Sequence, residues 1–169
     1  DTGGNHSDLT DEYAAVRKEM ESVAEFLGEK VLRDVCENEF VKNIPAIREK
    51  CGDRAVLRAM HFYADNARVE KQAAALNAKD FETFKKYIIE SGRSSYMYNQ
   101  NVFTCKKTNS QPVSLALALS ESVLDGCGAW RVHGGGFAGT IQAFVPLDKL
   151  DGYKDLMEKV FGLGSCYVL

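Results

Sequence analysis

The chain has 169 residues, 45% hydrophobic and 27% charged, the proportions of a folded globular protein rather than of a disordered or fibrous one. A chain of this length makes one ordinary domain or two small ones and buries roughly 70% of its unfolded surface. With 21 basic against 24 acidic residues the net charge is −3, which gives no field for gripping a nucleic-acid backbone. The longest apolar run, Leu115 to Leu119, falls far short of the roughly 20 residues that cross a bilayer. Nucleic acid and membrane are therefore not expected as partners.

Cys36, Cys51, Cys105, Cys127 and Cys166 are odd in number and scattered, with no C-x-x-C and no Cys–His spacing suited to zinc. They read as free thiols in a reducing cytoplasm. His6, His61 and His133 are equally isolated, so no structural metal is expected. The first residues, D-T-G-G, have no Met and no signal-peptide character; they read as the tail of a strand entering a turn, and so as a piece of a longer protein.

In chain order, Asp1 to Thr10 is turn-rich, with Thr10 or Asp11 as the expected cap of a first helix. Tyr13, Val16, Met20, Val23, Ala24 and Leu27 recur at helical spacing up to Gly28. After the short Lys30 to Cys36 segment, Pro45 predicts a short helix beginning there. Gly52 or Asp53 opens the longest pattern, with Val56, Met60, Tyr63, Ala67 and Ala74 on one side. Arg54, Arg58, Asp65, Arg68 and Lys71 fall largely on the others, and Arg68 and Glu70 read as solvated charges with no chemistry assigned.

Asp80 caps a helix whose stripe is Phe81, Phe84, Tyr87, Ile88 and Ile89, ending at Ser91 and Gly92. Tyr96 to Thr108 reads as a loop with a short strand around Val102. Pro112 begins a buried helix through Val113, Leu115, Ala116, Leu117, Leu119 and Val123. Pro146 and Asp148 start a last helix with Leu150, Tyr153, Met157, Val160 and Phe161 inward, and Cys166 to Leu169 reads as a strand.

Between these helices lies the run G-A-W-R-V-H-G-G-G-F-A-G-T-I-Q-A-F-V-P, Gly128 to Pro146. Ala129 to His133 and Thr140 to Val145 both read as strands, so the segment is strand, glycine turn, strand. Trp130 and Arg131 point to opposite faces, as a core residue and an ion-pair partner. Gly134, Gly136 and Gly139 fit G-x-G-x-x-G, but a dinucleotide fold needs those glycines to open a helix, and Thr140 to Val145 is β-branched and alternating. A protein-kinase loop would sit between strands, yet V-A-I-K, H-R-D and D-F-G are all missing, as is the G-K-S/T of a Walker loop.

The hairpin resembles the third conserved motif of the GHMP small-molecule kinases, T-G-A-G-x-G-G-C followed by a strand. It is most similar to the galactokinase form, R-M-T-G-G-G-F-G-G-C: Arg131, Gly134, Gly135, Gly136, Phe137 and Gly139 match, while His133, Ala138 and Thr140 replace Thr, Gly and Cys. D-E-Y-A-A-V-R resembles the family's S-x-Y-N-x-R-R at a helix start. A-K-D-F-E-T-F-K-K-Y-I-I-E-S resembles its A-G-D-x-x-x-F-G-x-L-M-x-x-S, with Ser91, Ser94 and Ser95 in a turn beyond the helix whose hydroxyls face either the cleft or their own backbone.

The resemblance implies an α+β fold, the ferredoxin-like C-terminal domain of a GHMP kinase with additional helices, over residues 1–169. Within it, 1–10 would be a strand tail and loop from the domain junction, 11–95 a helical part, and 96–169 a sheet part carrying the hairpin. The intact protein would phosphorylate galactose at its anomeric hydroxyl with ATP and Mg²⁺, its partners being the sugar, ATP and an N-terminal kinase domain. Tyr13 would contact the sugar, or be the first residue of the core stripe; Arg17 would answer to one of the family's arginines. Gly134, Gly135, Gly136 and Gly139 would lie near the phosphates or brace the partner domain. The family's nucleotide loop, catalytic aspartate and arginine have no match here, so no catalytic residue is expected in this chain and no activity from it alone. Three alternatives stay open: another acceptor such as mevalonate, homoserine or a different sugar; a non-catalytic sugar and nucleotide sensor; and a stand-alone binding module.

Overall fold

The computed structural model describes residues 1–4 and 9–169. The expected loop over 5–8 lies outside the described residues. The remainder is helix-rich α+β: six α-helices and one two-stranded antiparallel sheet among the described residues.

Helix α1 spans Thr10–Phe26, α2 Glu37–Cys51 and α3 Asp53–Asn77, with a single 3₁₀ turn, Leu32–Asp34, between the first two. They enclose one core of Val23, Ala24, Leu32, Phe40, Ile47, Ala55 and Ala59. The expected Thr10 or Asp11 cap is corrected: Leu9 is the residue before the helix, and no side chain caps it. Leu9 is instead buried against Phe137 and Ala138, so an apolar contact with the hairpin fixes the helix entry.

Pro45 does not begin a helix but lies inside α2. A proline there leaves the carbonyl four residues back without its amide partner. That residue, Val41, is 54% exposed, where solvent access to the carbonyl lowers the cost and lets the helix continue. Gly52 precedes α3 as expected, with a φ of +89° suited to glycine. On α3 the apolar stripe is displaced: Met60 is 42% exposed, while Arg58 is wholly buried.

Helix α4 spans Phe81–Ser94, and the Asp80 carboxylate accepts from the Thr83 amide as a cap should. Phe81 is exposed, so the stripe begins at Phe84. The chain does not turn at Ser91 and Gly92: the helix runs on and passes into a π-helical turn, Ser95–Asn99, closed by Gln100 in a left-handed conformation. Val102, the expected strand, is a buried plug among Val113, Leu117 and Val132 with no strand partner.

Helix α5, Pro112–Leu124, starts on its proline. Strands β1, Ala129–Val132, and β2, Ile141–Phe144, then pair in the register Ala129↔Phe144 and Val132↔Ile141. Alternation gives the hairpin two faces. Ala129 and Phe144 meet Phe84 and Ile88 of α4, and Trp130, Ile141 and Ala143 meet Ala116, Leu124, Tyr153 and Met157 of α5 and the last helix, α6 (Leu150–Phe161). Trp130 is thus core-facing as expected.

Cys166 to Leu169 is not a strand. Tyr167, Val168 and Leu169 are exposed and lie beside no ladder, so the fully elaborated ferredoxin-like layer is not formed by the described residues. No helix among the described residues is long and apolar enough to cross a membrane, and all five cysteines are free.

Candidate functional site

The hairpin tip is where the separated sequence features meet. Gly134 and Gly136 take φ of +70° and +81°, and Phe137 takes +55°, a left-handed residue in the middle of the turn. Phe137 tolerates this because it is buried, packing edge-on against the Tyr13 ring at 5.3 Å and against Leu9.

Tyr13 is on α1, 123 residues away in sequence, and its hydroxyl donates to the Gly136 carbonyl at 2.6 Å. Its ring lies directly beneath Gly135, where a Cβ would come within 2.7 Å of the ring edge. Burial pushes the Tyr13 phenol up, partly offset by the Ala138 amide. The second support is Asn101, just after the π-helical turn. Its side-chain amide donates to the Gly135 carbonyl at 3.1 Å, and its own carbonyl accepts from the Phe137 amide at 2.5 Å. A Cβ on Gly136 would overlap that carbonyl.

The four glycines therefore differ. Gly136 is buried under Asn101; Gly139 holds Thr2, whose amide and hydroxyl both donate to its carbonyl at 2.8 and 2.6 Å. Gly134 and Gly135 are exposed, and their backbone amides have no hydrogen-bond partner among the described residues.

Those two residues border two clefts. One, of about 540 Å³, has Val16, Met20, Leu32 and Phe62 as its apolar wall and Tyr13, Asn99 and Asn101 toward the hairpin. The other, of about 480 Å³, lies between the hairpin and the first residues, with Asp1, Gly3, Gly4, His133, Ala138 and Thr140 around it. Exposed glycine amides on a concave surface are suited to an anion's oxygens. Among the described residues no three His, Cys, Asp or Glu side chains gather as metal ligands.

Arg17 is exposed and pairs with Glu21 at 2.7 Å. Arg131, expected in an ion pair, reaches the Ser91 hydroxyl at 3.2 Å, and it makes no ion pair among the described residues. Ser94, on helix rather than in a turn, meets His61 Nδ1 at 2.9 Å. His61 is buried, and desolvation, aided by Arg68 and Arg131 against the opposing Asp65, lowers its pKa. Sequence reasoning missed Asn101, whose position after a π-helical turn carries no motif, and Arg58, whose charge argues for the surface.

Fold and site together define an α+β protein organised on a glycine hairpin that borders two clefts. No family model matches the chain. Galactokinases of Actinobacillus succinogenes and Haemophilus influenzae are 30% and 32% identical to it over 166 residues, 96% of this chain and 41% of each relative. That of Glaesserella parasuis is 30% identical over 152 residues, 90% of this chain and 38% of its own. By sequence the chain is similar to galactokinases over nearly its whole length, and it spans about two fifths of the length of these relatives.

Proposed function

We propose that this chain is the C-terminal part of a galactokinase-type enzyme whose intact form transfers the γ-phosphoryl group of ATP to the anomeric hydroxyl of galactose in the cytoplasm. The observation that carries the reading is the meeting of Tyr13 with the glycine hairpin. The two segments with the strongest family resemblance lie 123 residues apart and touch through one hydrogen bond, within a chain matched over 96% of its length.

Phosphoryl transfer depends on positioning the reactants and neutralising the moving charge, and Mg²⁺, held outside this chain, would supply part of that neutralisation. Gly134 and Gly135 present exposed amides that suit a phosphate oxygen, while Gly136 and Gly139 hold the turn in shape. Tyr13 orients the hairpin and offers its half-buried phenol to a sugar hydroxyl. Residues 1–4, of which Asp1, Gly3 and Gly4 border the second cleft, would continue into an N-terminal kinase domain supplying the nucleotide loop, the catalytic aspartate and arginine, and the metal ligands. The 169-residue chain alone is then inactive.

The test is ADP release by the longer parent protein with Mg-ATP and, separately, galactose, glucose, mevalonate and homoserine. Turnover with galactose alone supports the reading. Turnover with another acceptor reassigns the substrate, and binding of sugar and nucleotide without turnover makes the protein a sensor.

A further inference from the structure

Arg58 has no solvent exposure, and a buried guanidinium is retained at a cost unless its donors are engaged. Its Nη1 donates to Glu19 Oε2 of α1 at 2.8 Å and its Nε to the Asn99 carbonyl at 3.0 Å, while its buried Nη2 has no partner among the described residues. Glu19 also accepts from Arg54 Nε at 3.0 Å, so its carboxylate is held from two sides. Asn99 is the last residue of the π-helical turn, whose final carbonyls have no helical amide to bond. Arg58 supplies the missing donor from the neighbouring helix.

Two residues further on is Asn101, which bonds the hairpin through both its backbone carbonyl and its side-chain amide. Between Asn99 and Asn101 the chain turns through the left-handed Gln100. Beyond apolar packing, two polar routes among the described residues tie the hairpin tip to α1. The first is direct, from Tyr13 to Gly136. The second runs from Glu19 through Arg58 to Asn99, and by the chain to Asn101 and Gly135.

We propose that Arg58 is a positioning residue for the glycine hairpin: by holding the Asn99 carbonyl against Glu19 it fixes Asn101, and through Asn101 the placement of Gly135 at the lip of both clefts and of the buried Phe137 behind it. A role in phosphoryl transfer rests on the function proposed above; the placement of the hairpin does not. An arginine serves here where a lysine would not, because its fork bonds a carboxylate and a carbonyl in two directions at once.

The experiment is amide hydrogen exchange, resolved by residue, on the 169-residue chain and its Arg58→Met, Arg58→Lys and Glu19→Gln variants. Exchange reports local opening separately from global unfolding. The expected result is about tenfold or greater acceleration at the Phe137 amide in Arg58→Met, with the β1–β2 ladder amides unchanged. Arg58→Lys and Glu19→Gln should give the same pattern at smaller size. Acceleration spread evenly over the chain, or none at Phe137, overturns the proposal and leaves Arg58 an ordinary packing residue. If Arg58→Met does not fold, the other two variants decide by the same criterion. Should the parent show no kinase activity with any acceptor, the function falls while the exchange result stands or falls by itself.

Discussion

The Tyr13 hydroxyl donates to the Gly136 carbonyl at 2.6 Å while its ring supports Gly135 from below. One side chain thus joins the start of the first helix to the most glycine-rich turn of the chain. Its membership of the helix stripe and its place at the clefts are not rival readings, because the ring packs and the phenol oxygen faces the hairpin.

Tyr13→Phe keeps the ring and removes the donor. The expected loss is about 0.5–1.5 kcal/mol, the net worth of one intramolecular hydrogen bond. Urea unfolding of both forms checks it, and an unchanged midpoint would mean the bond does not form in solution.

Gly134 and Gly136 provide a matched pair. Both have positive φ, so alanine at either incurs a backbone penalty of roughly 1–2 kcal/mol. At Gly134 the new methyl meets nothing within 4 Å, whereas at Gly136 it overlaps the Asn101 carbonyl. Gly136→Ala should therefore cost about 1–3 kcal/mol more than Gly134→Ala. Equal thermal shifts for the two would refute the packing of Asn101 over the turn.

His61 makes stability depend on pH. Burial favours its neutral form, so below the ordinary imidazole value of about 6.5 the unfolded chain binds the proton more readily than the folded one. Its contribution is present above that value and is lost as pH falls toward the lowered folded pKa. His61→Asn, which retains a polar atom toward Ser94, should flatten the decline in urea midpoint between about pH 7 and about pH 5. A variant as pH-sensitive as the parent would place the titration elsewhere.

Ser120 and Tyr153 share a buried hydrogen bond of 2.8 Å between α5 and α6, and burial raises the Tyr153 phenol's pKa. The two sides are unequal, because Ser120 also donates to the Ala116 carbonyl at 2.8 Å. Ser120→Ala strands a buried phenol and should cost about 1–3 kcal/mol, more than Tyr153→Phe. A double-mutant cycle by calorimetry measures the coupling.

Local chemistry was readable wherever the signal and its partner lie within a turn of each other. Asp80 caps α4, Pro112 opens α5, Gly52 precedes α3, and the glycine run folds between two strands as its alternation implies. Errors arose where a distant partner decides. Pro45 fails to start a helix because an exposed carbonyl tolerates it, and Val102 resembles a strand although its burial comes from α5 and β1. Arg58 looks solvated until Glu19 and the Asn99 carbonyl are brought to it by folding. Resemblance drew attention to Tyr13 and the glycines, which the fold brings together, but the inequality among the glycines was not legible. That inequality is set by Asn101, a residue whose type and position give no warning.

Gly92 carries a mechanical consequence. Where α4 crosses β1, a Cβ at this position would lie 3.0 Å from the Trp130 carbonyl and 3.1 Å from the Arg131 Cβ, so helix and strand backbones run in direct contact. At that position no side chain of α4 stands between the helix and the strand. The base of the hairpin is clamped like the fixed end of a cantilever, while its free end rests on polar props, among them Tyr13, Asn101 and, at Gly139, Thr2. Movement of the tip is therefore a matter of withdrawing a prop, with the anchored end left unmoved.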